Sequence, residues 1–519
     1  MKRRSLFDYL EPSPVDDAPV LRPKSRRSQT AAALNLSEEK RIKKNNGRYY
    51  TPADIVKQIL DLSDYRGPRI LRKHIIDNSC GDGAFLREIV ERYCEESANR
   101  EVSELKAELE TFVHGVELDP TEREKCVRNL DAVALKRGVR GVNWNVICAD
   151  ALTIDRFDKR MDFVVGNPPY VRVHNLGASF DAVKKFELAQ DGMTDLFIVF
   201  YEIGLRMLNR DGVLGYITPS SFFNSVAGAR LRQKIIADDL LVKLLDLKHH
   251  QVFEATTYST VAILSPNGPK NSACEYYEYD AEQKPTLTER LTRDDFYING
   301  NFYFASRSNL SKLREILSFA SDDNFAVKNG FATLADRFFI GDGKFDFEEF
   351  TIPVVKASTG KWTRCFFPYD ADGRLVSFEE LSTVPAIKSY CEKNSELLRN
   401  RSLTNPNEWH GFGRTQGLKD VAKNKYAINA LIRGVSDIKL TPCPPGSGVY
   451  SGLYILTDAP FDELKALLYT EDFVAYVASL KKYKSGGYYA FSSKDLKIYL
   501  EYQRRSRDRR RLESESAPA

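Results

Sequence analysis

The segment GNPPYV, residues 166–171, follows the apolar run MDFVV and combines residue types that suit chemistry on an amino group. Two consecutive prolines fix φ and donate no backbone hydrogen bond, so they hold neighbouring groups in one geometry. Asn167 offers a side-chain carbonyl and Pro168 a main-chain carbonyl, and together they can accept both hydrogens of an NH2 group. Accepting both hydrogens localises the lone pair of a ring amine such as that of adenine and aims it at a methyl donor. Positioning and electrostatics then carry the transfer without a strong base, while Tyr170 supplies a flat face for the ring.

The stretch IIDNSCGDGAFLREIV has the residue types of a ligand-binding turn between a strand and a helix. The strand ends at Asp77 and the turn carries Gly81 and Gly83. Glycines let a ligand approach the backbone beside the free N–H groups of a helix N-terminus. The lysine of a P-loop and the GxGxxG spacing of a dinucleotide fold are both missing. Taken alone, this pattern also suits a tight structural turn.

Acidic residues end the next two strands. Glu117 and Asp119 close FVHGVELDP, and Asp150 closes VICAD. An acid at the end of the second strand suits hydrogen bonds to ribose hydroxyls, and ligands bind at this edge of an open α/β sheet. Asp150 can accept a hydrogen bond from the amino group of an adenine ring. The three strand ends predict an adenosine-bearing cofactor without phosphates, and S-adenosylmethionine fits, with its charged methionine end near the glycine turn and Asp77.

The elements that must position these residues alternate between apolar runs and helical patterns, which predicts a mainly parallel α/β sheet. The turn-rich SPNGPKNS marks a domain boundary. We therefore expect a flexible N-terminal arm over residues 1–46 and a catalytic α/β domain over residues 47–265. A second, α+β region is expected over residues 266–503, and a basic disordered tail over residues 504–519.

Composition restricts the class of protein further. The chain has 519 residues and a net charge of only +4. No stretch approaches the ~18 apolar residues of a membrane span, and the N-terminus lacks the apolar core of a signal peptide. We therefore expect no membrane association. Eight cysteines without CxxC pairing and six histidines without ligand spacing predict free thiols and no metal site.

Six segments resemble, in order, the motifs of the amino-methyltransferases: GRYYTPADIVKQIL, DNSCGDGAFL, GVELDP, CADAL, GNPPYV and HHQVFEATTYSTVAIL. The position of GRYYTP before the glycine turn resembles the gamma class of DNA adenine-N6 methyltransferases, the group of type II methylases that includes the TaqI enzyme. The resemblance covers about residues 47–265. It implies a Rossmann-like, doubly wound methyltransferase sheet that binds S-adenosylmethionine, followed by an α+β target-recognition domain.

The resemblance also implies the activity and the partners. Such an enzyme methylates the N6 amino group of a flipped-out adenine in a short site of double-stranded DNA, and so protects that site from a cognate restriction endonuclease on a separate chain. It works in the prokaryotic cytoplasm. A monomer suffices, since one strand can be methylated at a time.

Residue roles carry over from the family onto matching positions. The catalytic residues that the resemblance implies are Asn167, Pro168, Tyr170 and Phe253, the two aromatic rings forming a sandwich around the extruded base. The cofactor-binding residues that it implies are Tyr50, Thr51, Pro52, Asp77, Ser79, Cys80, Gly81, Gly83, Glu117, Asp150 and Asn167. The chain departs from the family at Asp77, where close relatives often carry glutamate, and at Asn78, where they carry proline.

The region after residue 265 contains one segment that resembles the end of a target-recognition domain, GGYYAFSSKDLKIYL. Lysines interleaved with aromatic residues suit phosphate contact, although an exposed basic turn before a final strand explains them equally well. The predicted DNA-binding residues are Lys481, Lys482, Lys484, Tyr488 and Tyr489. The arginine-rich tail from Arg504 to Arg511 is expected to add nonspecific DNA affinity.

Three other hypotheses stay open. NPPY also occurs in methyltransferases that modify a glutamine of release factors, and related motifs occur in RNA methylases, but those chains are usually compact. A subunit of a type I system would carry a long helical domain before the cofactor motifs. A DNA-binding module with a dead site is disfavoured by the intact NPPY. Pro442–Cys443 resembles the nucleophile motif of cytosine methylases, but it lies in a proline-rich loop, so that activity is rejected. Glu282–Lys284 resembles only half of a nuclease site, so no endonuclease activity is predicted.

Overall fold

The first nine strands form one sheet. The computed structural model describes residues 50–172, 180–191, 194–253, 257–268, 273–319, 324–403 and 405–515. The nine strands are β1 Ile75–Asp77, β2 Val113–Glu117, β3 Asn145–Cys148, β4 Met161–Gly166, β5 Leu208–Pro219, β6 Leu241–Asp246, β7 Ser259–Leu264, β8 Cys274–Tyr279 and β9 Pro285–Leu291. Their order across the sheet is β3-β2-β1-β4-β5-β7-β6-β8-β9.

The strand order creates a crevice at the centre of the sheet. Strands β1 to β5 pair in parallel. The chain moves outward from β1 to β3 and then returns to β4 on the other side of β1. Loops leaving β1 and β4 therefore diverge, and ligands bind at such a switch point beyond the carboxyl ends of the strands. Strand β7 is antiparallel to both β5 and β6.

Among the described residues, seven α-helices lie in this part of the chain and pack on the sheet. They are α1 Ala53–Leu62, α2 Ala84–Glu96, α3 Val102–Phe112, α4 Pro120–Leu135, α5 Phe180–Val183, α6 Leu196–Met207 and α7 Ala229–Ala237. Apolar residues of α1, α2 and α4 share one core with the sheet, and those of α6 and α7 share another. Strands β1, β2, β4 and β7 read as apolar runs because each is buried on both sides. The predicted doubly wound α/β sheet is confirmed.

The C-terminal region adds smaller sheets and short helices. Its strands are β10 Tyr297–Ile298, β11 Asn301–Phe302, β12 Ala326–Asn329, β13 Thr351–Lys356, β14 Lys361–Phe366, β15 Lys425–Ile428, β16 Leu431–Ile432, β17 Leu440–Cys443, β18 Gly448–Tyr450, β19 Leu453–Leu456, β20 Tyr483–Lys484 and β21 Tyr488–Ala490. Its helices are α8 Arg293–Phe296, α9 Arg307–Leu317, α10 Asp336–Phe339, α11 Phe378–Leu381, α12 Pro385–Lys393, α13 Ser395–Arg399, α14 Phe461–Leu468, α15 Glu471–Ser479 and α16 Ser493–Glu515. The strands form sheets of order β12-β19-β15-β17, β14-β13-β18 and β16-β21-β20, and a β10-β11 pair.

Two of the predicted domain boundaries, after residues 265 and 503, fall within the central sheet and within the last helix. Strands β8 and β9 extend the central sheet beyond residue 265, because β8 pairs in parallel with β6. Helix α16 takes in residues 504–515, which were expected to be disordered. The expected arm over residues 1–46 lies outside the described residues, as do residues 516–519. Within the described part of the chain, no helix is long and apolar enough to cross a membrane.

Candidate functional site

The predicted glycine turn lies between β1 and α2, at the switch point. Gly81 and Gly83 have φ values of +53° and +89°. A Cβ at Gly83 would lie 2.7 Å from Cys126 Sγ, so only glycine fits there. The turn is fastened to the second strand, since the N–H of Cys80 donates to the Val116 carbonyl at 2.9 Å. This geometry holds the turn in one conformation beside the strand ends.

Glu117 ends β2 with a carboxylate that the backbone orients. Its Oε2 accepts the N–H of Gly81 at 2.9 Å, and its Oε1 accepts the N–H of Asp119 at 2.9 Å. Each carboxylate oxygen retains a further lone pair, as a ribose diol requires. The Asp119 side chain has another task, since it caps α4 by accepting from the N–H groups of Thr121 and Glu122.

Asp77 places a buried carboxyl under the turn. Its side chain is 2% exposed and its Oδ1 accepts the N–H of Ser79 at 3.0 Å. Burial raises the pKa of Asp77 to about 8, the Ser79 hydrogen bond opposes this, and the negative charge of Glu117 adds to it. A bound ammonium group would favour the ionised form. The carboxyl therefore suits a cationic ligand, as the methionine end of S-adenosylmethionine is.

The catalytic candidates follow β4 directly beside Asp77. A Cβ at Gly166 would lie 2.7 Å from Asp77 Oδ1, so glycine lets the two strand ends come close. The Ser79 hydroxyl donates to the main-chain carbonyl of Asn167 at 3.4 Å. The next residue, Pro168, is buried. The cofactor turn and the NPPY segment thus form one continuous site.

Tyr170 is braced against β5 and against two aromatic rings. Its hydroxyl donates to the Ile217 carbonyl at 3.1 Å. Its ring meets Phe253 edge to face, with centroids 5.8 Å apart at 79°, and Phe197 at 6.3 Å and 78°. The structure thus brings together the two rings of the expected sandwich. They stand edge to face, so a base can enter between them only if one ring moves.

Asp150 and the GRYYTP segment lie at the same edge of the sheet as the strand ends described above. Asp150 follows β3, is partly buried, and accepts the N–H of Leu152 at 2.9 Å. The Tyr50 hydroxyl donates to Glu122 Oε2 at 3.0 Å, which brings this segment to the helix that follows Glu117. Thr51 is buried and Pro52 precedes α1.

Two further residues of the site were missed by the sequence interpretation. Leu118, between Glu117 and Asp119, is 66% exposed, and an exposed leucine at a ligand-binding strand end suits an apolar ring face. Phe197 supports Tyr170 from α6. The exposure of Leu118 has no sequence signal, whereas Phe197 lies in an apolar helix and looks like any core residue.

The DNA-binding prediction is wrong for Lys481, whose side chain is buried. Lys481 Nζ lies 3.0 Å from Asp246 Oδ2 and 3.3 Å from Glu278 Oε1, and its side chain is 7% exposed. Lys482 Nζ lies 2.6 Å from Asp495 Oδ2. The Lys481 ammonium is therefore enclosed by the protein, whereas the Lys482 side chain stays 33% exposed and its predicted role remains a prediction.

The other three candidates are partly buried. Lys484 ends the short strand β20, and Tyr488 carries the Arg433 guanidinium over its ring at 4.3 Å. Tyr489 meets the His249 ring edge to face at 4.7 Å. In the arginine-rich segment, Arg504 and Arg505 lie over the rings of Phe325 and Phe319.

A cleft of about 410 Å³ in the C-terminal region carries exposed basic groups. Lys328, Lys419 and Lys423 line it with Asp420. Lys328 and Lys423 lie 2.7 and 2.9 Å from the Asp420 carboxylate. Three lysines against one carboxylate leave the cleft positive, as a phosphate-binding surface requires. Among the described residues, no group of three metal-ligating side chains comes together.

Comparisons with known proteins agree with this geometry. Residues 86–253 match the family model described as the Eco57I restriction-modification methylase. The match begins inside α2 and ends at Phe253, so it includes β2, β3, β4 and the NPPY segment. Residues 86–253 are thus similar to a restriction-modification methylase, and S-adenosylmethionine is the cofactor that such a methylase implies.

Similar curated proteins extend beyond the matched segment. The type II methyltransferase M.PaeR7I of Pseudomonas aeruginosa is 25% identical over 500 residues, 87% of this chain and 85% of that protein. M.BstVI of Geobacillus stearothermophilus is 27% identical over 70% of this chain and 73% of that protein. The restriction enzyme and methyltransferase RM.Eco57I of Escherichia coli is 24% identical, and the chain spans 49% of its length.

A solved structure of the Type IIL restriction-modification enzyme MmeI in complex with DNA shares the fold. Its TM-score is 0.59 at 13% sequence identity, over 88% of this chain and 64% of that chain.

Proposed function

We propose that the chain transfers a methyl group from S-adenosylmethionine to the N6 amino group of an adenine in a short site of double-stranded DNA. The observation that carries this proposal is the placement of Asn167 and Pro168 beside the Asp77 turn at the switch point of the sheet. Two rigid carbonyl acceptors next to a cofactor turn suit an amino group as the acceptor of the methyl. The names of the type II methyltransferase relatives support DNA as the substrate.

The residues at the strand ends fit the cofactor by their chemistry. Glu117 offers a backbone-oriented carboxylate to the ribose hydroxyls, Asp150 an acceptor to the adenine amino group, and Asp77 a buried carboxyl to the ammonium. Tyr50 and its neighbours reach the same edge of the sheet. Bound there, S-adenosylmethionine supplies an electrophilic methyl group.

The protein's own part in the reaction is positioning. The Asn167 side-chain carbonyl and the Pro168 main-chain carbonyl accept the two amino hydrogens, which localises the lone pair on N6. Proline at position 168 has no N–H and a fixed φ, so the acceptors keep their geometry when the base arrives. Preorganised acceptors of this kind reduce the barrier without a change of protonation in the protein.

The proposed substrate requires base extrusion. An adenine inside a duplex cannot reach Asn167, so the enzyme takes the base out of the stack. Tyr170 and Phe253 then hold it, after one of the two rings moves from the edge-to-face arrangement. The C-terminal region reads the site, with phosphate contacts from Lys328, Lys419 and Lys423 in the basic cleft.

We also propose the biological setting. The chain works in the cytoplasm as the modification enzyme of a restriction–modification pair, and methylation protects the site from a separate cognate endonuclease. One copy of the chain suffices for one methyl transfer.

The test is expression in a host that lacks adenine methylation, followed by modification-sensitive long-read sequencing of the host DNA. N6-methyladenine in one short motif, absent from an Asn167→Ala version, is the expected result. The variant must bind S-adenosylmethionine and unfold at the wild-type temperature to count as a control. Unmodified DNA from a folded, cofactor-binding wild-type chain would contradict the proposal and direct the search to RNA or protein substrates.

A further inference from the structure

A buried polar cluster joins the end of β6 to the C-terminal region. Asp246, the last residue of β6, is 0% exposed. Its Oδ2 accepts hydrogen bonds from Lys481 Nζ at 3.0 Å and from the Tyr483 hydroxyl at 2.5 Å. Its Oδ1 accepts the N–H of Lys248 at 2.9 Å. A buried carboxylate requires such donors, because an unpaired one is strongly destabilising.

A second carboxylate balances the charges of this cluster. Glu278, on β8, accepts from Lys248 Nζ at 2.7 Å, from Lys481 Nζ at 3.3 Å and from the Tyr276 hydroxyl at 2.5 Å. Two ammonium groups therefore face two carboxylates. We call this set the Asp246 cluster; its members are Asp246, Lys248, Tyr276, Glu278, Lys481 and Tyr483.

The backbone of Lys481 indicates that its side chain is required there. The residue follows α15 with φ +56°, and its N–H donates to the Ala478 carbonyl at 3.2 Å. Glycine is the usual residue at such a helix end, because other residues are strained in the left-handed region. The contacts of the ammonium group with Asp246 and Glu278 offset that strain.

The loop that leaves the Asp246 cluster leads directly to Phe253. Lys248 has φ +51°, and the His250 N–H donates to the Leu247 carbonyl at 2.9 Å, so the loop begins with a fixed turn. The His249 ring meets Tyr483 edge to face at 4.9 Å. Phe253, at the other end, meets Tyr170 of the NPPY segment.

We propose that the Asp246 cluster is a positioning device for Phe253. It fixes the start of the 247–253 loop to residues 481–483 of the C-terminal region, so that region controls where the Phe253 ring lies against the target base. Lys481 and Tyr483 are thus positioning residues for methyl transfer and contact neither cofactor nor base. This inference rests on the proposed function.

The first test variant is Tyr483→Phe, which removes one hydrogen bond to Asp246 and keeps the ring. Tyr277→Phe is the matched control, because the Tyr277 hydroxyl donates to Glu275 and lies outside the Asp246 cluster. The assay is single-turnover methylation of an oligonucleotide containing the motif found by sequencing. We expect Tyr483→Phe to lower the rate about tenfold, as a misplaced group does. Tyr277→Phe should equal wild type, and both should bind S-adenosylmethionine as wild type does.

A double-mutant cycle with Phe253→Ala separates positioning from general destabilisation. If the Asp246 cluster acts through the Phe253 ring, Tyr483→Phe lowers the rate of wild type but not the rate of Phe253→Ala. 2-Aminopurine at the target position gives a second readout, because its fluorescence changes when the base is bound. Tyr483→Phe should alter that fluorescence change. Lys481→Met repeats the cycle at a second residue, with its fold checked by circular dichroism.

Additive losses in the cycle, or a wild-type rate for Tyr483→Phe, would overturn the positioning role alone. No methylation by the wild-type chain would overturn the proposed function and this inference with it.

Discussion

At the scale of single residues, the proposed contact of Asp77 with the ammonium of S-adenosylmethionine predicts that binding depends on pH. Burial raises the pKa of Asp77 from 3.8 to about 8. We therefore expect the empty site to hold a proton at neutral pH. In the proposed function the ammonium of S-adenosylmethionine contacts the ionised carboxyl, so binding should release that proton. Affinity is therefore fully present above pH 8 and falls as the pH drops from 8 to 6, by up to about tenfold per pH unit.

Calorimetric titration at pH 6, 7 and 8, in buffers with different ionisation heats, measures both the affinity and the released proton. Asp77→Asn should bind more weakly and with no pH slope, because an amide does not titrate. Asp131→Asn is the control, since the Asp131 carboxylate accepts from the Trp144 indole away from the turn, and it should keep the slope. A wild-type affinity that is flat over this range would contradict the role of Asp77.

The contributions of the Tyr170 hydroxyl and the Tyr170 ring can be tested separately. Tyr170→Phe loses the hydrogen bond to the Ile217 carbonyl, which costs about 1 kcal/mol of stability, but keeps the face for the base. Tyr170→Ala loses the stacking, worth about 1–3 kcal/mol per base. We expect methyl transfer by Tyr170→Phe within a few-fold of wild type and a loss on the order of tenfold to hundredfold for Tyr170→Ala, measured by single-turnover kinetics. Equal losses in both variants would show that the hydroxyl, not the ring, is required.

Lys481 shows what the sequence could not predict at this scale. The GNPPY segment and the glycine turn carry local signals, and their residues lie together as expected. A lysine among tyrosines suggests a surface contact, yet Lys481 is buried against the carboxylate of Glu278. That partner lies 203 residues away in the chain. Pairing over such a distance leaves no local pattern.

At the scale of elements, the β1–α2 turn depends on Gly83. Alanine there must adopt φ +89° and place its Cβ 2.7 Å from Cys126 Sγ. Left-handed strain and overpacking together should cost about 2–5 kcal/mol of stability and abolish cofactor binding. Gly138→Ala is matched to it, with φ +77° and nothing within 4 Å of the added Cβ, and should cost only about 1–2 kcal/mol. Urea unfolding and calorimetric titration of both variants check this, and equal costs would contradict the steric argument.

The central strands were predictable as elements because burial on both faces makes each an apolar run. Strands β8 and β9 were not assigned to the sheet, since CEYYEY and PTLTERL alternate apolar with polar residues and follow a turn-rich break. β9 is the edge strand and is largely exposed, whereas β8 lies between β6 and β9 and is buried or partly buried along its length. Strand β8 pairs with β6, and the sequence of β8 alone does not specify that partner.

At the scale of the whole molecule, one core joins the methyltransferase sheet to the C-terminal region. Residues of the central strands, such as Val164 and Leu214, belong to the same buried cluster as Leu453, Leu464 and Leu500. The described residues from Tyr50 onward accordingly belong to one compact unit. The two regions thus share a core, which lets a contact in one region position a residue in the other.

This shared core predicts one cooperative unfolding transition for the main body of the chain. Differential scanning calorimetry should show a single peak, and saturating S-adenosylmethionine should move all of it upward, since a ligand that binds only the native state stabilises the whole cooperative unit. A chain truncated after Ser265 should lose the transition, because it removes β8 from β6 and exposes the shared core. Two peaks, of which the cofactor moves only one, would show instead that the two regions unfold independently and that the Asp246 cluster alone couples them.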